Sequence, residues 1–136
     1  MSEAQKIILP EGGDFMNPNQ QEYFRNKLQA WKEDLLRDSR DTVENLQEDS
    51  QNHPDAADRA SSETDKSLEL RTRDRQRKLI SKIDAALRRI ADGSYGYCEV
   101  SGEPISLGRL DARPIATLSL EAQEKHEKRE KVYRDD

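Results

Sequence analysis

A proline at position 54 separates two long segments that both carry the sequence pattern of an amphipathic helix. Before the proline, apolar side chains recur at helical spacing, and the stripe consists of Phe24, Leu28, Trp31, Leu35, Leu36, Val43 and Leu46. After it, a second stripe consists of Leu68, Leu79, Ile83, Leu87 and Ile90. Because proline disfavours the helical region for the residue before it, the pattern predicts two helices rather than one.

The ends of the two helices carry their own signals. Asn17 followed by Pro18 marks the start of the first helix, because asparagine can cap free N–H groups and proline is pre-set to helical φ. The second helix can be capped by Asp55 or Asp58. It is predicted to end at Gly93, since glycine readily adopts the left-handed conformation found after a helix.

The two helices are matched in length. Counted from a turn near residue 57, each runs for about 35 residues, or about 50 Å at the rise of an α-helix. Helices joined by a tight turn pack antiparallel, so the chain is predicted to be mainly α, with a coiled-coil hairpin over residues 17–92 and its tip near 53–60. Thr72 and Arg75 interrupt the apolar seam, which favours tighter packing at the base of the hairpin.

The rest of the chain predicts three smaller parts. Residues 1–16 contain proline and glycine without a helical period and are predicted to form a flexible arm. Residues 93–118 predict a small knob with a β-hairpin, a turn at 109–114 and a short strand at 115–118. Ser119 can cap a last helix over 119–136. The apolar residues expected to hold the knob together are Leu110, Ile115, Leu118 and Leu120.

Composition excludes several classes of function. Of the 136 residues, 38% are charged and only 32% are hydrophobic, so the chain cannot enclose a large core. A net charge of -5 argues against naked nucleic acid as the main partner, because phosphate binding needs a basic field, and it favours a protein partner. The apolar run at residues 7–9 is too short for a signal peptide or a membrane span, and one cysteine excludes an internal disulfide. A cytoplasmic protein without membrane contact is expected.

Charge is separated along the predicted hairpin. Residues 33–65 contain 11 acidic and 3 basic side chains, whereas residues 71–90 contain 8 basic and 2 acidic ones. The tip is therefore acidic and the returning helix basic. Such runs are commonly just solvated helix faces, and that interpretation stays open until a nearby function is identified.

The knob carries the spacing of a metal site without its ligands. Cys98 and Ser101, then 17 residues, then Ser119 and Ala122 follow the CxxC…CxxC pattern with three of the four cysteines replaced. One thiolate cannot hold structural zinc, so no metal is expected. Cys98 is either a redox-sensing thiol or, more commonly for such residues, a buried small apolar side chain.

A catalytic role is not indicated by the sequence. The two histidines lie far apart, one at the predicted turn and one on the last helix, so no Cys/His pair can be argued. The chain is not expected to be an enzyme.

Three stretches, in order and correctly spaced, resemble the DksA family of bacterial transcription factors, of the DksA/TraR type. They are residues 55–60 at the turn, 68–80 on the second helix, and Tyr95 to Cys98 with Arg109 to Pro114 in the knob. The similarity covers the chain from about residue 17 onward. The chain resembles those members whose zinc finger is degenerate and poor in cysteine.

The resemblance implies a monomeric factor that binds RNA polymerase without binding DNA. In this family the hairpin enters the secondary channel of the polymerase, and the knob stays on its rim. The resemblance assigns the tip roles to Asp55, Asp58 and Ala60, with repression of promoters for ribosomal and other stable RNA, and activation of others, in the stringent response. Without the resemblance, Asp55 and Asp58 are simply helix caps, and both roles can coexist.

The resemblance also implies an effector, the alarmone ppGpp. The matching positions are Leu79, Lys82, Arg113, Arg75 and Arg109, and basic side chains suit a polyphosphate. A lysine that the family places on the last helix is Gln123 here, which removes one charge. The alternative is that these cations pair with acids on the surface, which explains Arg113, in a turn, less well.

Two other functions remain as alternatives to the initiation factor. A rod with an acidic tip can instead stimulate transcript cleavage by the polymerase. It can also be a coiled-coil adaptor that docks a basic partner through any nearby acid.

Overall fold

The computed structural model describes residues 8–52 and 56–135, and it describes side chains over 8–41 and 61–132. The chain is mainly α, and no strand occurs in the described ranges. The four helices are α1 (Pro18–Asn52), α2 (Ala56–Asp92), α3 (Leu107–Ala112) and α4 (Leu120–Asp135). Over the same ranges, no helix combines the length and apolar character needed to cross a bilayer.

The molecule divides into two compact units. The hairpin unit is Gln29–Asp84, and the knob unit contains the chain up to Leu28 and from Ala85 onward. Each long helix therefore contributes to both units.

The ends of α1 and α2 agree with the sequence signals. The Gln20 N–H donates to the Asn17 side-chain oxygen at 3.0 Å, which caps α1. Gly93 follows α2 with φ of +85°, the left-handed conformation for which glycine is suited. The predicted turn at Pro54 lies outside the described residues.

In the hairpin unit, α1 and α2 run antiparallel. Lys32 forms an ion pair with Asp84 at 2.7 Å, and further along α1 the Ser39 hydroxyl donates to the side-chain oxygen of Gln76 at 3.1 Å. The partner number falls as the α1 number rises, which is the order of an antiparallel pair. Leu35 and Ile83 are buried, as their stripes predict.

Two residues of the predicted stripes do not lie in the seam. Leu36 is 43% exposed and Leu68 is 54% exposed, so placing them on the buried faces was wrong. Leu36 follows the buried Leu35 directly, and neighbours in a helix point about 100° apart, so both cannot face one narrow seam.

The knob unit holds a small aromatic and aliphatic core. The Phe24 and Tyr95 rings lie 5.5 Å apart, and the Tyr95 hydroxyl donates to the Pro114 carbonyl at 2.8 Å. Burial raises the pKa of Tyr95. Other fully or almost fully buried side chains of this unit are Leu28, Ile90, Ile105 and Leu110.

The knob has less β-structure than predicted. The predicted hairpin is a single bridge between Tyr97 and Pro104, and residues 115–118 form no strand. Much of the predicted turn at 109–114 belongs to α3, which Ser106 caps by accepting from the Arg109 N–H at 3.2 Å. Leu120 is 59% exposed, so its predicted role in the core was also wrong.

The N-terminal segment just before α1 is packed against the knob. The buried Gln20 side chain accepts from the Met16 N–H at 2.6 Å and donates to the Pro10 carbonyl at 2.8 Å. The Phe15 and Tyr97 rings meet edge to face at 5.4 Å. Of residues 10–16, Met16 is buried in the core of the knob unit, while Pro10 and Phe15 are half-buried and residues 11–14 are exposed. Residues 1–7 lie outside the described part.

The Gly96 backbone lies close to the side chains of Phe15 and Met16, so a Gly96→Ala variant should be destabilised. Its φ is +93°, and an added Cβ would lie 2.9 Å from the Met16 Cε and 3.1 Å from the Phe15 ring. Backbone strain and overpacking together should cost about 2–4 kcal/mol in urea unfolding. Gly102→Ala is the matched control, because φ is +75° but nothing lies within 4 Å. A Gly96→Ala loss no larger than that of the control would contradict the packed arrangement.

Candidate functional site

The predicted tip residues lie at the edge of the described structure. Asp55 lies outside the described residues, and Asp58 and Ala60 lie in α2 with side chains that are not described. Their roles at the tip therefore stay predictions.

The predicted alarmone residues divide between the two units. Leu79, Lys82 and Arg75 lie on α2 in the hairpin unit, where Leu79 is half-buried and the two cations are exposed. Arg109 and Arg113 lie in the knob unit at α3 and its C-terminal end. The ligand role of all five stays a prediction.

The segment 109–113, which we call the arginine turn, is tightly bonded through its backbone. The Arg113 N–H donates to the Arg109 carbonyl at 2.8 Å, and the Arg113 carbonyl accepts from the Ala116 N–H at 3.0 Å. The Arg109 Nε donates to the Leu118 carbonyl at 2.9 Å. Arg109 is therefore partly committed to the fold, whereas the Arg113 side chain is exposed.

The arginine turn is joined to α1 by a polar cluster that sequence reasoning missed. The Tyr23 hydroxyl donates to Asp111 Oδ1 at 2.5 Å. The Lys27 ammonium donates to the same oxygen at 2.6 Å and to the Asp111 backbone carbonyl at 2.7 Å. We call Tyr23, Lys27 and Asp111 the clasp.

The hydrogen bonds of the clasp shift the pKa values of Asp111 and Tyr23. Hydrogen bonds from Lys27 and then Tyr23 hold the pKa of the Asp111 carboxyl below its usual range. Burial, followed by the bond to Asp111, raises the pKa of Tyr23 to about 12. At neutral pH the cluster is therefore one carboxylate that accepts from one ammonium and one phenol. The four-residue spacing of Tyr23 and Lys27, which places them on one face of α1, is the only local signal for it.

The degenerate metal positions form a hydrogen-bonded site around sulfur. Cys98 is buried, and its sulfur accepts first from the Ser101 hydroxyl and then from backbone N–H groups of Ser101, Ser119 and Val100. These donors lower the pKa of the Cys98 thiol to about 6. Ser119 also caps α4, because its hydroxyl accepts from the Ala122 N–H at 3.2 Å.

This donor set does not fit zinc. A structural zinc site needs four thiolate or imidazole ligands, and these positions supply one sulfur, two hydroxyls and a methyl group. Over the ranges that the structure describes, no group of three His, Cys, Asp or Glu side chains is placed to hold a metal ion.

A cleft of about 320 Å³ lies between the 99–103 turn and α4. Its walls carry both charge signs, and the charged lining side chains are Glu99, Glu103, Glu121, Lys125 and Arg129. Gln123, where the resemblance implies a lysine, donates to Glu127 at 3.0 Å on the same helix.

Two family descriptions match successive parts of the chain. Residues 20–90 match "DnaK suppressor protein DksA, N-terminal domain", and residues 93–128 match "Prokaryotic dksA/traR C4-type zinc finger". Together they cover both long helices, the knob and most of α4.

Individual relatives match over most of their length. The RNA polymerase-binding transcription factor DksA of Caulobacter vibrioides is 70% identical over 126 residues, which span 93% of this chain and 89% of that protein. The protein of the same name from Escherichia coli K12 is 44% identical over 120 residues, spanning 88% of this chain and 80% of that protein. The solved structure of transcription factor DksA2 from Pseudomonas aeruginosa superposes with a TM-score of 0.80 at 42% identity. That match covers 86% of this chain and 90% of the solved one.

Proposed function

This chain belongs to the DksA family and is an RNA polymerase-binding transcription factor; we propose that it acts through the secondary channel of the polymerase and modulates initiation. The observation that carries the proposal is the 70% identity to a named polymerase-binding factor over 93% of the chain. In the hairpin unit the two helices run antiparallel and are joined by the ion pair of Lys32 and Asp84. Two paired helices form a narrow rod, which is a suitable shape for insertion into a channel. The family is one of transcription factors and not of enzymes.

In the proposed mechanism, the tip perturbs the polymerase without chemistry of its own. The rod carries Asp55, Asp58 and Ala60 toward the active site, while the knob stays on the rim. Two carboxylates on a narrow rod can reach a centre built around Mg²⁺ and polar backbone groups. Open complexes at promoters for ribosomal and other stable RNA are the sensitive step, and other promoters are activated.

The proposed effector is ppGpp. The positions that match the family's site are Leu79, Lys82 and Arg75 in the hairpin unit and Arg109 and Arg113 in the knob unit, and exposed basic side chains such as Lys82 and Arg113 suit a polyphosphate. Gln123 weakens this site by one charge, so we expect the factor to respond to ppGpp at higher concentration than a member with lysine there.

We also propose that the factor works without zinc, as a cytoplasmic monomer that contacts neither DNA nor membrane. The purified protein should contain far less than one zinc per chain by metal analysis, and a chelator should leave its melting temperature unchanged. The reason is the donor set around Cys98, which holds the sulfur by hydrogen bonds. Stoichiometric zinc in protein purified without added metal would contradict this.

The function is tested by transcription in vitro from a ribosomal RNA promoter with bacterial RNA polymerase, with and without ppGpp. Inhibition that deepens with ppGpp is expected. A parallel assay on backtracked complexes separates the main alternative, because a transcript-cleavage factor would accelerate cleavage and leave initiation unaffected. No inhibition under any condition would overturn the proposal.

A further inference from the structure

Asp111 connects more partners than any other side chain described on α3. It accepts from the Tyr23 hydroxyl at 2.5 Å and from the Lys27 ammonium at 2.6 Å, both on α1 and 84 or more positions away in sequence. Lys27 also lies 5.7 Å from the centre of the Tyr23 ring, so the three side chains contact one another. A cluster that unites such distant segments fixes tertiary position rather than local helix stability.

Lys27 also satisfies the end of α3. Its ammonium donates a hydrogen bond to the backbone carbonyl of Asp111 at 2.7 Å, and Asp111 lies in the last turn of α3. The last carbonyls of a helix have no partner within it, and a cation there is favourable. The clasp therefore holds both the side chain and the backbone of Asp111.

The arginine turn begins two residues before Asp111 and ends two residues after it. Arg109 precedes Asp111 by two positions and Arg113 follows it by two, and the Arg113 N–H closes the helix on the Arg109 carbonyl at 2.8 Å. The exposed Arg113 side chain makes no hydrogen bond to any residue in the described ranges, so its position depends on the backbone that carries it.

We propose that Asp111 is a positioning residue that fixes the arginine turn on α1 and thereby sets the affinity of the factor for a polyphosphate effector. This rests on the proposed response to ppGpp. Recognition of a polyanion by Arg and Lys depends on holding the cations in place before binding, because ordering a loose turn on binding lowers affinity. Asp111 itself repels phosphate, so its contribution comes through Lys27 and Tyr23.

The first arm of the test measures position directly, by amide hydrogen exchange of residues 107–118 in the full-length protein. Asp111→Asn should speed exchange at the Arg113 amide by about tenfold, and Asp111→Glu, which keeps the charge, should recover most of the protection. Asp84→Asn is the matched control. It breaks the Lys32–Asp84 pair, whose distance of 2.7 Å and half-exposed side chains resemble those of Lys27 and Asp111.

The second arm measures the effector, as the ppGpp concentration that gives half of the extra inhibition at a ribosomal RNA promoter. Asp111→Asn should raise this concentration about five- to tenfold and leave inhibition without ppGpp unchanged. Asp111→Glu should stay within about threefold of the parent. A merely structural role would lower inhibition with and without ppGpp alike, and that result would overturn the proposal.

The remaining outcomes are separable from failure of the proposed function. Unchanged exchange in Asp111→Asn overturns the positioning role whatever the effector does. Faster exchange with an unchanged ppGpp requirement overturns the link between turn and effector. If ppGpp does not deepen inhibition by the parent protein, the proposed alarmone response is overturned, and with it the proposed effect of Asp111 on effector affinity. Hydrogen exchange then decides alone whether Asp111 positions the arginine turn.

Discussion

Transcription from a ribosomal RNA promoter should escape inhibition when Asp58 is replaced by asparagine. Asp58 lies within the first turn of α2 rather than before it, so it is not the N-cap that the sequence allowed. The Asp58→Asn side chain keeps the shape, but it loses the charge that the proposed tip brings toward the active site. We expect at least a tenfold rise in the protein concentration needed for half inhibition, with and without ppGpp. Binding to polymerase, measured by competition with labelled parent protein, should change by less than threefold, since the variant alters a single side chain at the proposed tip.

The control for this variant is an acid that lies on the rod away from the tip. Asp41 is exposed on α1, so Asp41→Asn removes the same charge from the acidic region while leaving Asp55 and Asp58 in place. It should inhibit like the parent. Equal losses in both variants would favour the adaptor alternative, in which any nearby acid serves. Full activity of Asp58→Asn would contradict the proposed tip.

The long helices could be predicted because their signals are local. Asn17 and Pro18 specify the start of α1 by capping and fixed φ, and Gly93 specifies the end of α2 by its positive φ. Each signal acts over three or four residues, so one sequence contains all of it. The fold class followed from those ends and from the apolar stripes between them.

The seam of the hairpin was predicted less well than its ends. Leu36 and Leu68 are apolar and fall near the stripe, yet they are exposed. A coiled coil buries a narrow strip on each helix, and helical spacing alone cannot decide which of two adjacent leucines points into it. That choice depends on the partner helix.

The knob was predicted least well because its order comes from distant contacts. The segment before α1 packs through the buried Gln20 and the Phe15 ring, and no periodic pattern marks residues that bind a loop. The clasp joins positions 23 and 27 to position 111, and nothing in the sequence links the first two to the third. Ser106 is the exception, since a serine three residues before Arg109 is a cap signal that could have predicted α3.

The Cys98 thiol should titrate near pH 6 in the native protein. Hydrogen bonds from Ser101, first from its hydroxyl and then from its N–H, stabilise the thiolate and lower the pKa from its ordinary value near 9 to about 6. The acid dissociation constant should thus be about a thousandfold larger than in the unfolded chain. Absorbance of the thiolate near 240 nm, followed from acidic pH to pH 8, measures it, and Cys98 is the one cysteine in the sequence.

The sign of the effect on stability follows from this depressed pKa. The folded state binds its thiol proton less tightly than the unfolded state, so stability from ionisation is fully present above the unfolded pKa of about 9 and is lost as pH falls through 6. Between those values, urea unfolding should show stability rising with pH in the parent. A Cys98→Ser variant should lack that rise, because serine does not ionise in this range.

Ser101→Ala tests whether the hydroxyl is the main cause. Removing the largest of the stabilising bonds should move the thiol pKa upward toward 9, while the backbone donors of Ser101 and Ser119 remain and keep it below that value. Ser67→Ala, an exposed serine on α2, should leave the titration unchanged. A native thiol that titrates near 9 would contradict the lowered pKa of Cys98. A pKa near 6 that Ser101→Ala does not raise would contradict the role of the Ser101 hydroxyl as its main cause.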